Sequence, residues 1–239
     1  MTKSAPISTH PAAAGFLAGA RDTLPMLVGA APFGVIFGTL AGPAGLAPWA
    51  ALAMSLFVYA GSSQFIAVTL LSGGASIPVI VATTFVVNVR HALYSASLLP
   101  HVAGLPRGWR MLLAFFLTDE TYAVVYHRLQ EPGVVNVQRY FLGSALAMYG
   151  NWFTWTLVGV LLGRSVPGIE RWGLEFAMVA TFVGIVVPLL NNRAQLAAAL
   201  AAGLTALVTT AVPYKLGLMV AVCVGIAVGV LLERKDEPA

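Results

Sequence analysis

Apolar runs of 18–27 residues, separated by short linkers rich in Gly, Pro and polar residues, make up most of this chain. Eight can be read: 24–41, 46–72, 77–99, 109–127, 140–162, 173–190, 194–211 and 215–232. Each is near or above the roughly 18–20 residues that a helix rising 1.5 Å per residue needs to span a hydrocarbon core of about 30 Å. The pattern predicts an all-α, polytopic helical membrane protein with about eight transmembrane segments. Residues 24–232 form the membrane domain, with an N-terminal tail at 1–23 and a C-terminal tail at 233–239. The linkers are too short to hold or tether a soluble domain. Residues 1–23 lack the continuous apolar stretch of a secretory signal, and fit a short cytoplasmic tail or a surface-lying lead-in.

One or more of these segments is expected to be broken. The second, 46–72, would be about 40 Å long as one helix, longer than the core it has to cross. Its middle reads Ala60-Gly61-Ser62-Ser63-Gln64. Glycine ends helices and serine caps new ones, so a broken helix is one reading. A long tilted helix with small residues for close packing is the other. Pro32-Phe33-Gly34 can kink the first run. The glycine pairs 34/38, 159/163 and 225/229 each offer a close-packing face. Trp49, Trp109 and Trp172 stand at run ends, as interfacial anchors do. The stretches AMSLFVYAG (53–61) and AMVATFVGI (177–185) lie 124 residues apart, which would divide the chain into two parallel four-helix halves.

Polar groups change the picture most where they are deepest. Away from the run ends the ionisable residues are Arg90, His91, Asp119 and Glu120, while Glu175 and His127 lie near ends. Arg90 lies ten residues before Pro100 and Asp119 ten after Trp109. Both are thus about 15 Å from the intervening loop, near the midplane. Adjacent antiparallel helices would bring Arg90 level with both acids. Asn88 shares a helical face with His91, so polarity covers two sides of this segment. A buried pair that only packs helices would need one acid and one base. The second acid, the histidine and the asparagine exceed that need. Asn151, in Tyr149-Gly150-Asn151-Trp152, either lines a cavity or bridges helices.

Composition excludes more than it specifies. Hydrophobic residues form 59% of the chain and charged ones 9%, against about 25% charged in soluble domains. The net charge of +4 is scattered over loops and forms no nucleic-acid patch. With both termini inside, the positive charges divide seven to five between the two faces, a weak vote on orientation. There is no P-loop, no H-E-x-x-H and no G-x-S-x-G, and Cys223 is the single cysteine. These absences argue against an enzyme, a metal site and a bound cofactor. A pore, a gradient-driven carrier or a membrane scaffold remains.

Four segments, AAPFGVIFGTLA (30–41), YAGSSQFIAVTLL (59–71), NVRHALYSASLLP (88–100) and LTDETYAV (117–124), together resemble the AzlC family. This is the large subunit of the two-component branched-chain amino acid exporter. The resemblance implies export of branched-chain amino acids, with methionine as a further candidate. It also implies a small hydrophobic AzlD-type partner subunit and a bacterial cytoplasmic membrane. Residue roles come from physical argument instead. Gly61, Ser62, Ser63 and Gln64 would receive the substrate carboxylate, with Asn88, Phe33 and Asn151 beside it. Phe57, Phe65 and Phe85 would complete an apolar pocket. Arg90, His91, Asp119 and Glu120 would form a charged centre that couples transport to proton entry. The alternatives are a channel for a small ion or solute and a scaffold subunit that transports nothing.

Overall fold

The computed structural model describes residues 12–131, 136–165, 190–212 and 216–236, together with Val183 and Val187. The helices are α1 (Ala12–Asp22), α2 (Leu24–Ala41), α3 (Pro48–Phe57), α4 (Gly61–Ser72), α5 (Ile77–Asn88), α6 (Arg90–Val102), α7 (Arg107–Phe115), α8 (Asp119–Gln130), α9 (Val137–Ser165), α10 (Arg193–Val208) and α11 (Leu216–Asp236). No strand occurs among the described residues. The sixth run, with Glu175, the nearby Trp172 and the second half of the AMSLFVYAG match, lies almost wholly outside them.

The centre of the bundle is a close pair, α2 and α9. Helical bonding passes through Thr23, whose amide donates to Gly19 O (3.2 Å) and whose carbonyl accepts from Leu27 N–H (3.0 Å). The α1–α2 unit therefore begins well inside the stretch expected to be a tail. It runs parallel to α9: Gly19 lies against Tyr140 and Ser144, Gly34 against Trp155, and Gly163 against Thr39. A Cβ on Gly38 would stand 2.4 Å from Thr156 O, so only glycine permits this approach. The bonds Thr23 Oγ1 to Ser144 Oγ and Asn151 Nδ2 to Leu27 O join residues 121 and 124 apart. That separation is close to the spacing of the sequence match.

Two of the eight runs fold back on themselves. In run 46–72 the chain breaks at 58–60 and turns back. Ser55 accepts a bond from Gln64 Nε2 at 3.0 Å, and Ala51 joins Val68 in a cluster with Phe37, Ala41, Ala44 and Val160. These pairs are symmetric about the break, as in a hairpin, so α3 and α4 begin and end at the end of the bundle where α2 finishes. Run 109–127 breaks at 116–118 and does the same from the opposite end. One straight helix would set Leu105 and Leu129 about 36 Å apart, yet both pack on the cluster of Leu113, Leu117, Val125, Tyr140 and Phe141. Hydropathy counts apolar residues and cannot see direction, which is why both runs read as crossings. By length and composition, Leu24–Ala41, Ile77–Val102 and Val137–Gly163 can each span a membrane.

The third run is also interrupted, more gently. Val89 separates α5 from α6 with its amide turned to Val86 O at 3.2 Å. The α10–α11 pair is antiparallel and joined through glycines, Gly225 against Ala202 and Gly229 against Ala198.

Candidate functional site

The three breaks meet at one place. The opposed hairpin tips touch through Tyr59 and Phe116, whose rings are edge to face at 6.3 Å, and Tyr149 packs on both. Tyr59 has φ +43°, a left-handed conformation rare for a bulky residue. This conformation lets the chain re-aim within 58–60. The cavity beside the tips is lined by Phe33, Tyr59 to Ser62, Phe65, Arg90, His91, Thr118 to Glu120, Met148 and Trp152. Its volume is about 40 Å³, room for about three waters. The N-termini of α4, α6 and α8 all open onto it.

Each N-terminus supplies a different group. The first helical bond of α4 runs from Gln64 N–H to Ala60 O, and no side chain caps the helix. The amides of Gly61, Ser62 and Ser63 thus have no intrahelical partner, and Gly61 and Ser62 lie at the cavity wall. α6 contributes Arg90, with one buried atom, Nε, that has no partner among the described residues. α8 is capped by Thr118, whose Oγ1 accepts from Thr121 N–H, and puts Asp119 and Glu120 in its first turn, where the helix dipole favours negative charge.

The charged centre closes on itself. Arg90 Nη2 is 3.0 Å from Asp119 Oδ2, with the two side chains 24% and 16% exposed. Nη2 also donates to Ser62 Oγ at 3.1 Å, linking all three N-termini. Tyr94 OH donates to the other carboxylate oxygen, Asp119 Oδ1, at 2.7 Å, and stacks on Tyr122 at 4.4 Å. One turn further along both helices, Ser97 donates to Tyr122 OH at 3.0 Å. α6 and α8 therefore run parallel from their breaks. Arg90 and Asp119 do meet, but because α8 turns back beside α6, not because two straight helices lie antiparallel.

Of the expected site residues, Phe33, Gly61, Ser62, Arg90, His91, Asp119 and Glu120 line this cavity, as does Phe65. Ser63 is 1% exposed and donates to Asn88 Oδ1 at 2.7 Å, so these two tie α4 to α5 instead of facing the cavity. His91 Nδ1 donates to Asn88 O at 3.1 Å, since a carbonyl can only accept, and this takes up a carbonyl freed by the break at Val89. Asn151 bridges α9 to α2 through Leu27 O and accepts from Trp155 Nε1, as its bridging reading anticipates. Phe57 and Phe85 are 76% and 71% exposed and cannot form the pocket wall expected of them. Trp152 lines the cavity, as one reading of the Tyr149–Trp152 stretch expects, whereas Tyr59 and Met148 carried no sequence signal. Tyr94 shares the helical face of Arg90.

Gln64 belongs to the support of the site. It is fully buried, donates to Ser55 Oγ and accepts from Trp152 Nε1 at 2.9 Å, while Ser55 and Thr156 share a bond at 2.9 Å. Gln64→Leu keeps the bulk but strands the indole N–H. Leaving a buried donor unsatisfied costs about 1–3 kcal/mol. A melting temperature in detergent lowered by several degrees is expected, and an unchanged one would contradict the network.

Among the described residues no group of His, Cys, Asp and Glu could hold a metal ion. Opposed half-helices that meet at a charged centre inside an apolar bundle define a polytopic membrane protein built like a transporter. The profile of the AzlC protein family matches residues 25–166, more than half of the chain. The chain belongs to the AzlC family. It is 28% identical over 191 residues to the inner membrane protein YgaZ of Escherichia coli (strain K12), covering 78% of each chain. It is 35% identical over 173 residues to an uncharacterized membrane protein of Helicobacter pylori (strain J99), covering 70% of this chain and 74% of that one. The branched-chain amino acid transport protein AzlC of Bacillus subtilis (strain 168) is 26% identical over 174 residues, with 73% and 67% covered. No solved structure matches the chain significantly.

Proposed function

We propose that this protein exports branched-chain amino acids, with methionine as a further substrate, in exchange for proton entry. It would act in the bacterial cytoplasmic (inner) membrane as the large subunit of a two-component system with a small hydrophobic AzlD-type subunit. The observation that carries the reading is the convergence of three helix N-termini on a cavity holding Arg90, Asp119 and Glu120. An amino acid brings one negative and one positive group close together. The free amides of α4 and the Arg90 guanidinium suit its carboxylate, and Glu120 and Asp119 suit its ammonium. The names of the Bacillus and E. coli relatives support the substrate class and the membrane.

The Arg90–Asp119 pair has the same charge layout as the substrate. A cavity of about 40 Å³ is too small for leucine, so entry requires the pair to part and a hairpin to withdraw. Hairpins from opposite ends suit alternating access, each forming one gate. Among the described residues, Arg107, Arg110, Arg128 and Arg139 flank the end where α9 begins. The positive-inside rule then puts the start of α9 in the cytoplasm.

Leucine efflux from cells expressing the chain with its partner subunit tests the proposal. Asp119→Asn and Glu120→Gln are each expected to lower efflux at least tenfold, the loss of about 1.4 kcal/mol or more of coupling. Normal efflux by both, at equal protein level, rejects the acid-centred mechanism. Opposed half-helices also occur in channels. Uncoupled flux of a small solute through liposomes holding the purified complex would favour that reading over a carrier.

A further inference from the structure

A second cleft, of about 360 Å³, opens sideways between α6, α7 and the start of α9. Its floor is Leu98, Leu113, Leu117 and Phe141, all buried. Leu99 and Met111, exposed on the outer faces of α6 and α7, border it. At its mouth stand Arg107 and Arg110, neighbours on α7, and neither takes part in an ion pair among the described residues.

We propose that this cleft binds an anionic phospholipid, with an acyl chain along α7 and the phosphate on Arg107 and Arg110. Charge decides the occupant. Among the described residues, the lining includes two cations and one serine, Ser95, but no acid. A phosphate finds two counter-charges there, whereas the ammonium of an amino acid or the choline of a zwitterionic lipid finds none. A partner's apolar helix would fit the floor and leave both arginines unused.

Depth agrees. From Arg107 to Phe115 is about 12 Å along the helix, close to half of the roughly 30 Å core. The arginines thus reach the headgroup level while the floor ends near the midplane. Trp109, partly buried beside them, is a residue type that settles at that interface. The mouth also lies at the arginine-rich end of the bundle, the side on which bacterial and other cytoplasmic leaflets present anionic lipid. The cleft floor reaches Leu117, next to the capping Thr118 of the charged centre, so lipid bound here would brace the α7–α8 hairpin.

The test uses the full-length protein in detergent, titrated with phosphatidylglycerol or phosphatidylcholine and followed by native mass spectrometry and thermal unfolding. Phosphatidylglycerol is expected to bind and raise the melting temperature, and phosphatidylcholine to do so far more weakly. The double variant Arg107→Gln/Arg110→Gln is expected to bind phosphatidylglycerol about 30-fold more weakly, as for two lost interfacial cations. Ala114→Phe, which fills the cleft and keeps both charges, should weaken it as well. If the arginine variant does not fold, Ala114→Phe and the comparison of lipids on the unaltered protein still decide. Equal binding of the two lipids, unchanged binding by Ala114→Phe, or equal binding of soluble glycerol phosphate overturns the proposal.

Discussion

Replacing Arg90 by glutamine is expected to abolish leucine export and to lower the stability of the protein sharply. The substitution removes the 3.0 Å pair with Asp119 and the bond to Ser62, and leaves the carboxylate with Tyr94 alone. Breaking one side of a buried ion pair costs about 3–5 kcal/mol. Because Arg90 and Asp119 keep 24% and 16% exposure to the cavity, the lower end of that range applies. Even so, it is a large share of the roughly 5–15 kcal/mol that holds a typical fold. The informative partner is Arg90→Gln/Asp119→Asn, which replaces two charges by two amides of similar shape. It should recover most of the lost melting temperature, since no charge is left buried and unpaired, while export stays at background. Recovery of both stability and export would mean that the charges serve helix packing only, and the scaffold reading would then stand.

Gly159→Val should be as damaging, for a reason unrelated to charge. A Cβ at Gly159 would stand 2.2 Å from Val35 O and 2.8 Å from Val35 C. The neighbour is backbone, so no rotamer change relieves the clash, and α2 must move off α9. That contact is continuous through Gly34, Gly38 and Gly163, so separation at one point loosens the whole seam. Overpacking typically costs about 1–3 kcal/mol, and more where backbones meet. Loss of monodisperse protein on size exclusion, or a melting temperature lowered by ten degrees or so, is the expected result. Gly150→Ala is the control. Nothing lies within 4 Å of its Cβ position, and the change gains up to about 1 kcal/mol of helix propensity. A parent-like melting curve for Gly159→Val would show that the two helices are not in backbone contact.

Much of the site was legible because the chemistry that marks it is rare in lipid. Arg90, His91, Asp119 and Glu120 stood out as costly groups at membrane depth, and the structure brings all four to one cavity. The Gly61-Ser62-Ser63 stretch marked a break, although the new helix is preceded by Ala60 and the serines fall in its first turn. Neighbouring polar residues were harder to assign. Ser63, Asn88, Gln64 and Asn151 have the chemistry of binding residues but are used to tie one helix to another. Aromatic residues were least legible. Phe57 and Phe85 face outward, whereas Tyr59, Phe116 and Tyr149 join the hairpin tips, and nothing local separates the two groups.

The chain by itself determined that it is helical and membrane-bound and which charges lie deep, and it offered a break near 61–64 as one of two readings. Those properties follow from run length, local backbone preference and the cost of burying charge, all readable within a few turns of helix. Only the tertiary structure decided direction after each break. At 58–60 and 116–118 the chain could have continued across, and the apolar count would have been the same. It turns back because Ala51 meets Val68, Ser55 meets Gln64, and Leu129 returns to the cluster that also holds Leu105. These contacts join separate elements, so they leave no trace in periodicity or hydropathy. They also decide that Arg90 meets Asp119 where three helix N-termini converge.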